Sequence, residues 1–345
     1  MFSNALPGLT DELKQVSQEM EVLLPKEWNR GEVGSIIQAV LAGRGKGYRP
    51  SLLLLMGRLG PDYPECKKRL YRLGALVELV HMASLIHDDI IDDSILRRGN
   101  PTIQARFGKD MAVYAGDLIL GQVLTILLQD NLQQSGLLIA KTIKDMCQGE
   151  IGQAACRYRT DITDKEYYEN IYGKTASMFV NVCKIGGIES GCDEETIQCL
   201  GDIGLHLGYL FQIRDDLLDF SANNVEDGKP ARMDFQEGIF TLPVLHTFLD
   251  PACRGGLEEL VKLAKQGRLS PADFTELDRL ILSAGGFDYA VSMAEQHRAV
   301  IGQKLSELSP SKTVDVIRYL VSLLELPKLR IGRQNPEGEK IIDCI

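Results

Sequence analysis

The sequence predicts an all-α protein with a single domain, and three observations support this prediction. Apolar residues recur with helical spacing over almost the whole chain, and no segment shows the alternation that is typical of a strand. No stretch rich in Pro, Ser or Gly and no block of like charges divides the 345 residues. Two long apolar helices, ending near residues 93 and 220, each carry aspartates at the carboxyl end. We therefore expect one domain over residues 1–345, with a flexible tail over residues 332–345.

Composition excludes several functional classes. The net charge of −10 argues against a nucleic-acid-binding protein, because such proteins use basic surfaces to contact phosphates. The eight cysteines form no CxxC pair and the N-terminus does not resemble a signal peptide, so we expect reduced thiols and a cytoplasmic location. No apolar run reaches the roughly 18–20 residues that span a bilayer, so no transmembrane segment is expected.

The spacing of apolar residues places the helices in the following order. They cover residues 10–24, 31–41, 51–59, 69–93, 110–130, 136–156, 160–174, 178–187 and 195–220, followed by one that starts at Ser270-Pro271 and by 287–308 and 309–326. Thr10 is the expected N-cap of the first helix, and the segment DITDKEYYE contains another N-cap. Gly173 is expected to break the seventh helix, and residues 221–229 form the most loop-like stretch.

The first acidic segment, residues 85–102, reads LIHDDIIDDSILRRGNPT. On a helix, Asp88 and Asp92 share one face because they lie four residues apart, and Asp89 lies beside them. Like charges at this spacing weaken a helix, so a cation is expected nearby to offset the repulsion. A solvated charged turn is the ordinary interpretation of one such cluster.

The second acidic segment repeats this arrangement. Residues 211–220 read FQIRDDLLDF, with Asp215 and Asp219 four residues apart and Asp216 adjacent. Two matched clusters, each ending an apolar helix, favour a metal site over two solvated turns. Carboxylate oxygens suit Mg²⁺, which binds through one or two carboxylates plus substrate phosphates. The sequence therefore predicts Mg²⁺ between the two helices, with a diphosphate as the remaining ligand.

Basic residues that could hold phosphate oxygens lie in two places. The turn GRGKGYRP, residues 43–50, contains Lys46 and Arg49 among glycines that allow close backbone approach. Lys174 and Thr175 follow Gly173 in the segment YGKTAS. A solvated loop is the ordinary interpretation of the basic turn alone.

Several motifs, in order, resemble those of the all-trans polyprenyl diphosphate synthases, a family that includes farnesyl and geranylgeranyl diphosphate synthases. They are GKGYRP, HDDIIDD followed by RRGNPT, GDLIL, YGKT, FQIRDDLLD, and GKP before QEGIFTLP, within about residues 43–243. The resemblance implies the all-α isoprenoid-synthase fold, a helical bundle around a deep central cavity that usually forms a homodimer. It implies Mg²⁺-dependent transfer of the prenyl group of an allylic diphosphate onto isopentenyl diphosphate, giving a trans-polyprenyl diphosphate for delivery to a membrane.

The resemblance also implies a role for individual residues. Six aspartates would bind three Mg²⁺ ions that bridge the allylic diphosphate: Asp88, Asp89, Asp92, Asp215, Asp216 and Asp219. That diphosphate would also be contacted by Arg97, Lys174, Thr175, Gln212 and Lys229, of which Arg97, Lys174 and Lys229 are expected to act in catalysis. The diphosphate of isopentenyl diphosphate would be held by Lys46, Arg49, His81 and Arg98. For His81, a buried core histidine is the alternative.

Residues before the first acidic cluster are expected to set product length. Ala83 and Ser84 lie one turn before Asp88, and Val80 lies one turn further. In the family, large aromatic residues at these positions stop growth at short products. The small side chains here predict a product longer than farnesyl, although the floor of the cavity could come from another helix, such as residues 118–128.

Two other functions are weaker alternatives. A class I terpene cyclase shares the fold and the first aspartate motif, but its second metal motif is usually rich in Asn and Ser. A regulatory subunit of a heteromeric synthase tends to lose one aspartate motif. This chain retains both motifs and the basic residues of the second diphosphate site.

Overall fold

The structure, a computed structural model, describes residues 8–43, 45, 47–221 and 232–327, and the backbone of 330–334 and 340–344. Helices make up most of this part of the chain, which confirms the all-α prediction. They are α1 (Leu9–Leu23), α2 (Gly31–Ala42), α3 (Tyr48–Gly57), α4 (Tyr63–Ile91), α5 (Ile103–Phe107), α6 (Lys109–Gln129), α7 (Gln133–Ala155), α8 (Asp164–Ile171), α9 (Ser177–Glu189), α10 (Glu194–Asp219), α11 (Met233–Gln236), α12 (Leu242–Phe248), α13 (Pro251–Lys265), α14 (Pro271–Ser283), α15 (Gly286–Glu307) and α16 (Lys312–Ser322). A 3₁₀ helix (Lys26–Asn29) precedes α2, and a π-helix (Tyr172–Ala176) joins α8 to α9.

Two short antiparallel strand pairs were not predicted from the sequence. Strand β1 (Leu96–Arg97) pairs with β2 (Asn100–Pro101), and β3 (Arg330–Gln334) pairs with β4 (Lys340–Cys344). The turn of the first pair has positive φ at both central residues, Arg98 and Gly99, as a tight hairpin requires. The second pair lies where a tail was expected from residue 332, so that part of the backbone is paired.

The helix caps partly agree with the prediction. Thr163 begins α8 in a capping box with Glu166, and Ser270 begins α14 in a capping box with Asp273. The prediction for Thr10 was wrong, because α1 starts one residue earlier and is preceded by Gly8 in the left-handed conformation.

The chain folds into two compact units. Unit 1 comprises the described residues of Met1–Lys144, Met178–Gly204 and Lys304–Leu320, and unit 2 comprises those of Asp145–Ser177, Leu205–Gln303 and Val321–Ile345. The single domain expected from the sequence stays a prediction.

The core of unit 1 is built around the long helix α4. Its side chains Leu70, Leu73, Leu76 and Leu79 are fully buried, and each such side chain contributes about 1.5–3 kcal/mol of burial free energy. The helix ends where Asp93 adopts a left-handed φ of 51°. These contacts fix the direction in which the last turn of α4 presents its carboxylates.

Helix α6 corrects one prediction. By length and composition it could cross a membrane, although the sequence analysis found no apolar run of that length. One such helix is weak evidence, since a core helix passes the same test, and Ala112, Ala115 and Ile119 of α6 are buried. Near its start, a Cβ on Gly116 would lie 2.7 Å from Cδ2 of His87 on α4, so only glycine lets the ring pack there.

Unit 2 contains a close crossing of two backbones. A Cβ on Gly173 would lie 2.6 Å from the carbonyl oxygen of Asp145 and 2.7 Å from Cα of Gly149 on α7. The prediction that Gly173 breaks the helix was wrong, because the chain continues from α8 into α9 through the π-helix. Only the regular α-helical hydrogen bonding changes there. This widened turn carries Lys174 and Thr175.

All seven cysteines whose side chains are described are free, as expected for reduced thiols. Cys183 is buried, and burial raises the pKa of its thiol, which makes it unreactive.

Candidate active site

The last turn of α4 presents the first acidic cluster in unit 1. Asp88 and Asp89 lie within the helix, and Asp92 is its C-cap, with its backbone N–H donating to the carbonyl oxygen of Asp88 at 2.9 Å. Asp89 is only 5% exposed, whereas Asp92 is exposed. The cluster therefore contains one buried carboxylate, that of Asp89, and one exposed carboxylate, that of Asp92.

An arginine on the β1–β2 hairpin neutralises the buried member of this cluster. Arg97 Nε donates to Asp89 Oδ1 at 2.8 Å. The amide of Gln104 on α5 donates to the carbonyl oxygens of Asp89 and Ser94, which ties the hairpin to the end of α4. This is the cation that the repulsion among the aspartates led us to expect.

A second set of basic residues surrounds His81 of α4. Arg49 on α3, Arg98 in the hairpin turn and His81 interact electrostatically with one another. Burial lowers the pKa of Arg49 to about 10, and burial together with three arginines lowers the pKa of His81 well below its ordinary value. The imidazole is therefore neutral at pH 7 and can donate a hydrogen bond to an anion from one ring nitrogen.

The second acidic cluster, in unit 2, is centred on a buried aspartate. Asp216 is 4% exposed and accepts hydrogen bonds from the Tyr167 hydroxyl at 2.6 Å and from Gln212 Nε2 at 2.8 Å. Thr175 Oγ1 in turn donates to Gln212 Oε1 at 2.6 Å. Burial raises the pKa of Asp216 to about 7, even though these hydrogen bonds lower it. A divalent cation would offset this cost of an ionised buried carboxylate.

Asp219, one turn later on α10, caps the short helix α11. Its carboxylate accepts from the backbone N–H of Met233 at 3.1 Å and of Asp234 at 3.3 Å. Burial raises the pKa of Asp219 to about 6, and burial with the neighbouring aspartates raises that of Asp234. Asp215, by contrast, is exposed.

Lys174 is held by two acceptors on α7. Its Nζ donates to Gln153 Oε1 at 2.9 Å and lies 3.3 Å from Glu150 Oε1. Its charge also lowers the pKa of Asp216, so the ammonium acts on the acidic cluster from the π-helix.

The chemistry of the donors fits Mg²⁺, which prefers carboxylate oxygens. Within the described ranges, no group of three His, Cys, Asp or Glu side chains is close enough to hold a metal ion by itself. Lys46 and Lys229, two predicted diphosphate ligands, lie outside the described residues.

The predicted product-length residues lie along α4. Ala83 and Val80 are buried and Ser84 is partly buried. Val80 and Val77 line a small cavity in unit 1, and its other walls belong to α7 and α9, where Asn181 Nδ2 donates to Thr142 Oγ1 at 2.8 Å.

Sequence reasoning missed four residues that the structure places in these networks: Glu78, Gln153, Tyr167 and Asp234. The tyrosine follows a recognised N-cap by four residues, but no spacing rule connects it to an aspartate 49 residues away. Glu78 carried a usable signal, since it is the one acidic residue in the largely apolar stretch of residues 73–86 and lies one turn before His81. Arg214, which precedes Asp215 on α10, donates from Nε to the carbonyl oxygen of Glu325 at 2.8 Å.

Comparisons with known proteins identify the family to which the chain is similar. Component 2 of heptaprenyl diphosphate synthase from Geobacillus stearothermophilus is 36% identical over 249 residues, which cover 72% of this chain and 76% of that protein. The structure of heptaprenyl diphosphate synthase from Staphylococcus aureus superposes with a TM-score of 0.82 at 28% identity, covering 92% of this chain and 97% of the other.

A second solved structure contains ligands. Polyprenyl synthase from Caulobacter crescentus CB15, complexed with calcium and isoprenyl diphosphate, superposes with a TM-score of 0.83 at 25% identity, covering 94% of this chain and 97% of the other. The family described as polyprenyl synthetase matches residues 31–273. The chain therefore belongs to the polyprenyl synthetase family.

Proposed function

We propose that this protein condenses an allylic diphosphate with isopentenyl diphosphate, head to tail, to make a trans-polyprenyl diphosphate longer than farnesyl diphosphate. The observation that carries the proposal is a second set of basic residues, Arg49, Arg98 and the neutral His81, in addition to Arg97, which pairs with Asp89. Elongation needs a second diphosphate site and a cyclase does not. The second set therefore favours a transferase over a class I terpene cyclase.

The allylic substrate would be bound through its diphosphate. Arg97 in unit 1 and Lys174 in unit 2 would provide N–H donors, with Lys229 as a further predicted cation. The Thr175 hydroxyl, which donates its one hydrogen to Gln212 Oε1, would have to turn away from Gln212 to donate to the diphosphate. These groups stabilise negative charge that develops on the departing diphosphate as its bond to the allylic carbon breaks. Isopentenyl diphosphate would be held by Arg49, His81, Arg98 and the predicted Lys46.

The aspartates of the two clusters would hold Mg²⁺: Asp88, Asp89 and Asp92 in unit 1, and Asp215, Asp216 and Asp219 in unit 2. Bound Mg²⁺ supplies Lewis-acid neutralisation of the diphosphate. The complex of the Caulobacter crescentus relative with calcium supports a divalent cation, and three ions with diphosphate bound remains our prediction.

A single product assay tests the proposal. Purified protein with Mg²⁺, farnesyl diphosphate and excess radiolabelled isopentenyl diphosphate should yield prenols well beyond twenty carbons after dephosphorylation. A stop at fifteen or twenty carbons would retain the transferase and contradict the long product. No elongation with any allylic primer would contradict the transferase itself.

The same assay separates two further possibilities. The Geobacillus stearothermophilus relative is named a component, which supports a partner subunit as a second candidate arrangement. If this chain elongates alone, no partner is required. A cyclic hydrocarbon from a single allylic substrate would indicate a cyclase. A cytoplasmic location stays a prediction.

We also propose that the protein is a homodimer that associates through α6. Tyr114, Leu124 and Leu128 are 65%, 46% and 79% exposed and lie on one stripe of this helix, with the exposed Gly121 between them. A second copy of the same stripe would bury these side chains through a self-complementary contact.

We expect Leu128→Glu to weaken the dimer, because it places a charge at the buried stripe. Sedimentation velocity should show a larger monomer fraction than for the wild type at equal concentration. The matched control is Leu249→Glu, which changes a leucine that is 74% exposed on unit 2 and should leave the distribution unchanged. A monomeric wild type would contradict the proposal.

A further inference from the structure

Glu78 is a buried acid that the chemistry proposed above does not use. It lies on α4, one turn before His81, and is 5% exposed. Among the described residues, its Oε2 has no hydrogen-bond partner. A buried carboxylate without full hydrogen bonding costs free energy to keep ionised. Nearby positive charges can offset this cost.

The charges around Glu78 are the arginines of the second diphosphate site. Burial raises the pKa of Glu78 above its ordinary value, although the charges of Arg49 and Arg98 oppose this shift. A Cβ on Gly45 would lie 3.2 Å from Arg98 Nη1 and 3.5 Å from Glu78 Oε1. The guanidinium of Arg98 and the carboxylate of Glu78 therefore both lie beside this glycine.

The arrangement differs from that of a structural ion pair. Arg49 Nε donates to Met178 Sδ at 2.7 Å, and its guanidinium carbon lies 5.8 Å from the centre of the Phe179 ring. Sulfur is a weak acceptor. By comparison, Glu12 in the same unit has both oxygens satisfied at 2.7 Å, by Arg58 Nη2 and the Tyr63 hydroxyl.

We propose that Glu78 is a positioning residue of the isopentenyl diphosphate site, where its carboxylate holds Arg49 and Arg98 together against their mutual repulsion until the diphosphate binds. The proposal rests on the function proposed above. Without the carboxylate, the partly buried guanidinium of Arg49 and the exposed guanidinium of Arg98 repel each other and move apart. The diphosphate must then bring them together again, and its affinity falls.

The experiment compares Glu78→Gln with the wild type in the elongation assay, measuring KM separately for each substrate. We expect KM for isopentenyl diphosphate to rise about tenfold and KM for the allylic diphosphate to change less than twofold. Glu78→Asp keeps the charge and should give an intermediate value. Glu12→Gln is the matched control, because it removes a buried glutamate of unit 1 that pairs with another arginine, and should lower Tm without separating the two KM values.

Each result has a distinct meaning. An unchanged or lower KM for isopentenyl diphosphate in Glu78→Gln would overturn the proposal, since the carboxylate would then only repel the substrate. Equal rises in both KM values would indicate a structural role and also overturn it. If Glu78→Gln does not fold, the Glu78→Asp comparison decides by the same criterion. A wild type that does not elongate would instead contradict the proposed function.

Discussion

Replacing Asp88 or Asp215 by alanine should lower the rate of prenyl transfer by about 10³-fold or more while the protein stays folded. Asp88 is partly buried at the end of α4 and Asp215 is exposed on α10, so neither truncation opens a large cavity. Each variant removes a carboxylate that would hold Mg²⁺ against the allylic diphosphate. The measurement is kcat in saturating Mg²⁺, with circular dichroism and Tm to verify the fold.

The control for this prediction is a fourth aspartate in the same segment. Asp93 directly follows the cluster, is exposed and pairs with Lys109 at 2.8 Å. Asp93→Asn retains a residue that tolerates the left-handed φ of 51° at this position. It should change kcat less than twofold. Near-normal activity in Asp88→Ala or Asp215→Ala would remove the metal assignment for the affected cluster.

Ser84→Phe should shorten the product to about fifteen or twenty carbons. Ser84 lies four residues after Val80 and seven after Val77, so the three share one face of α4, and the two valines line a cavity. One turn of helix spans about 5.4 Å, of the order of one isoprene unit. A phenylalanine would therefore block growth a few units after the primer without removing any group that binds diphosphate.

Product lengths, separated after dephosphorylation, measure this effect. Ser84→Ala is the matched control, because it removes the hydroxyl, which donates to the His81 carbonyl oxygen at 2.9 Å, and adds no bulk. It should give the wild-type distribution. If the products of Ser84→Phe are unchanged, α4 does not form the floor of the cavity. The Asn181–Thr142 pair of α9 and α7 would then be the next residues to substitute.

The all-α fold and the aspartate clusters could be predicted because both depend on local spacing. Helical periodicity placed the aspartates on the final turns of α4 and α10, where the structure has them. The partners that fix them could not be predicted in this way. Tyr167 reaches Asp216 from another helix, and no pattern within either segment encodes that contact.

Short or irregular elements were also beyond prediction from periodicity. The strands β1 and β2 have two residues each, which is too few to show alternation. The π-helix contains Gly173, whose backbone closely approaches α7, and such an approach is a property of two helices together. The sequence alone therefore predicted a helix break at Gly173, where the structure has the wider turn of a π-helix.

The glycine crossing of unit 2 has an entropic consequence for Lys174. Because the backbones at Gly149 and Gly173 are in contact, the Cα position of the next residue is fixed by the main chain. Only the side-chain rotamers of Lys174 remain to be ordered, and Gln153 and Glu150 restrict them. Much of the conformational entropy that binding an anion would otherwise cost has thus already been lost during folding.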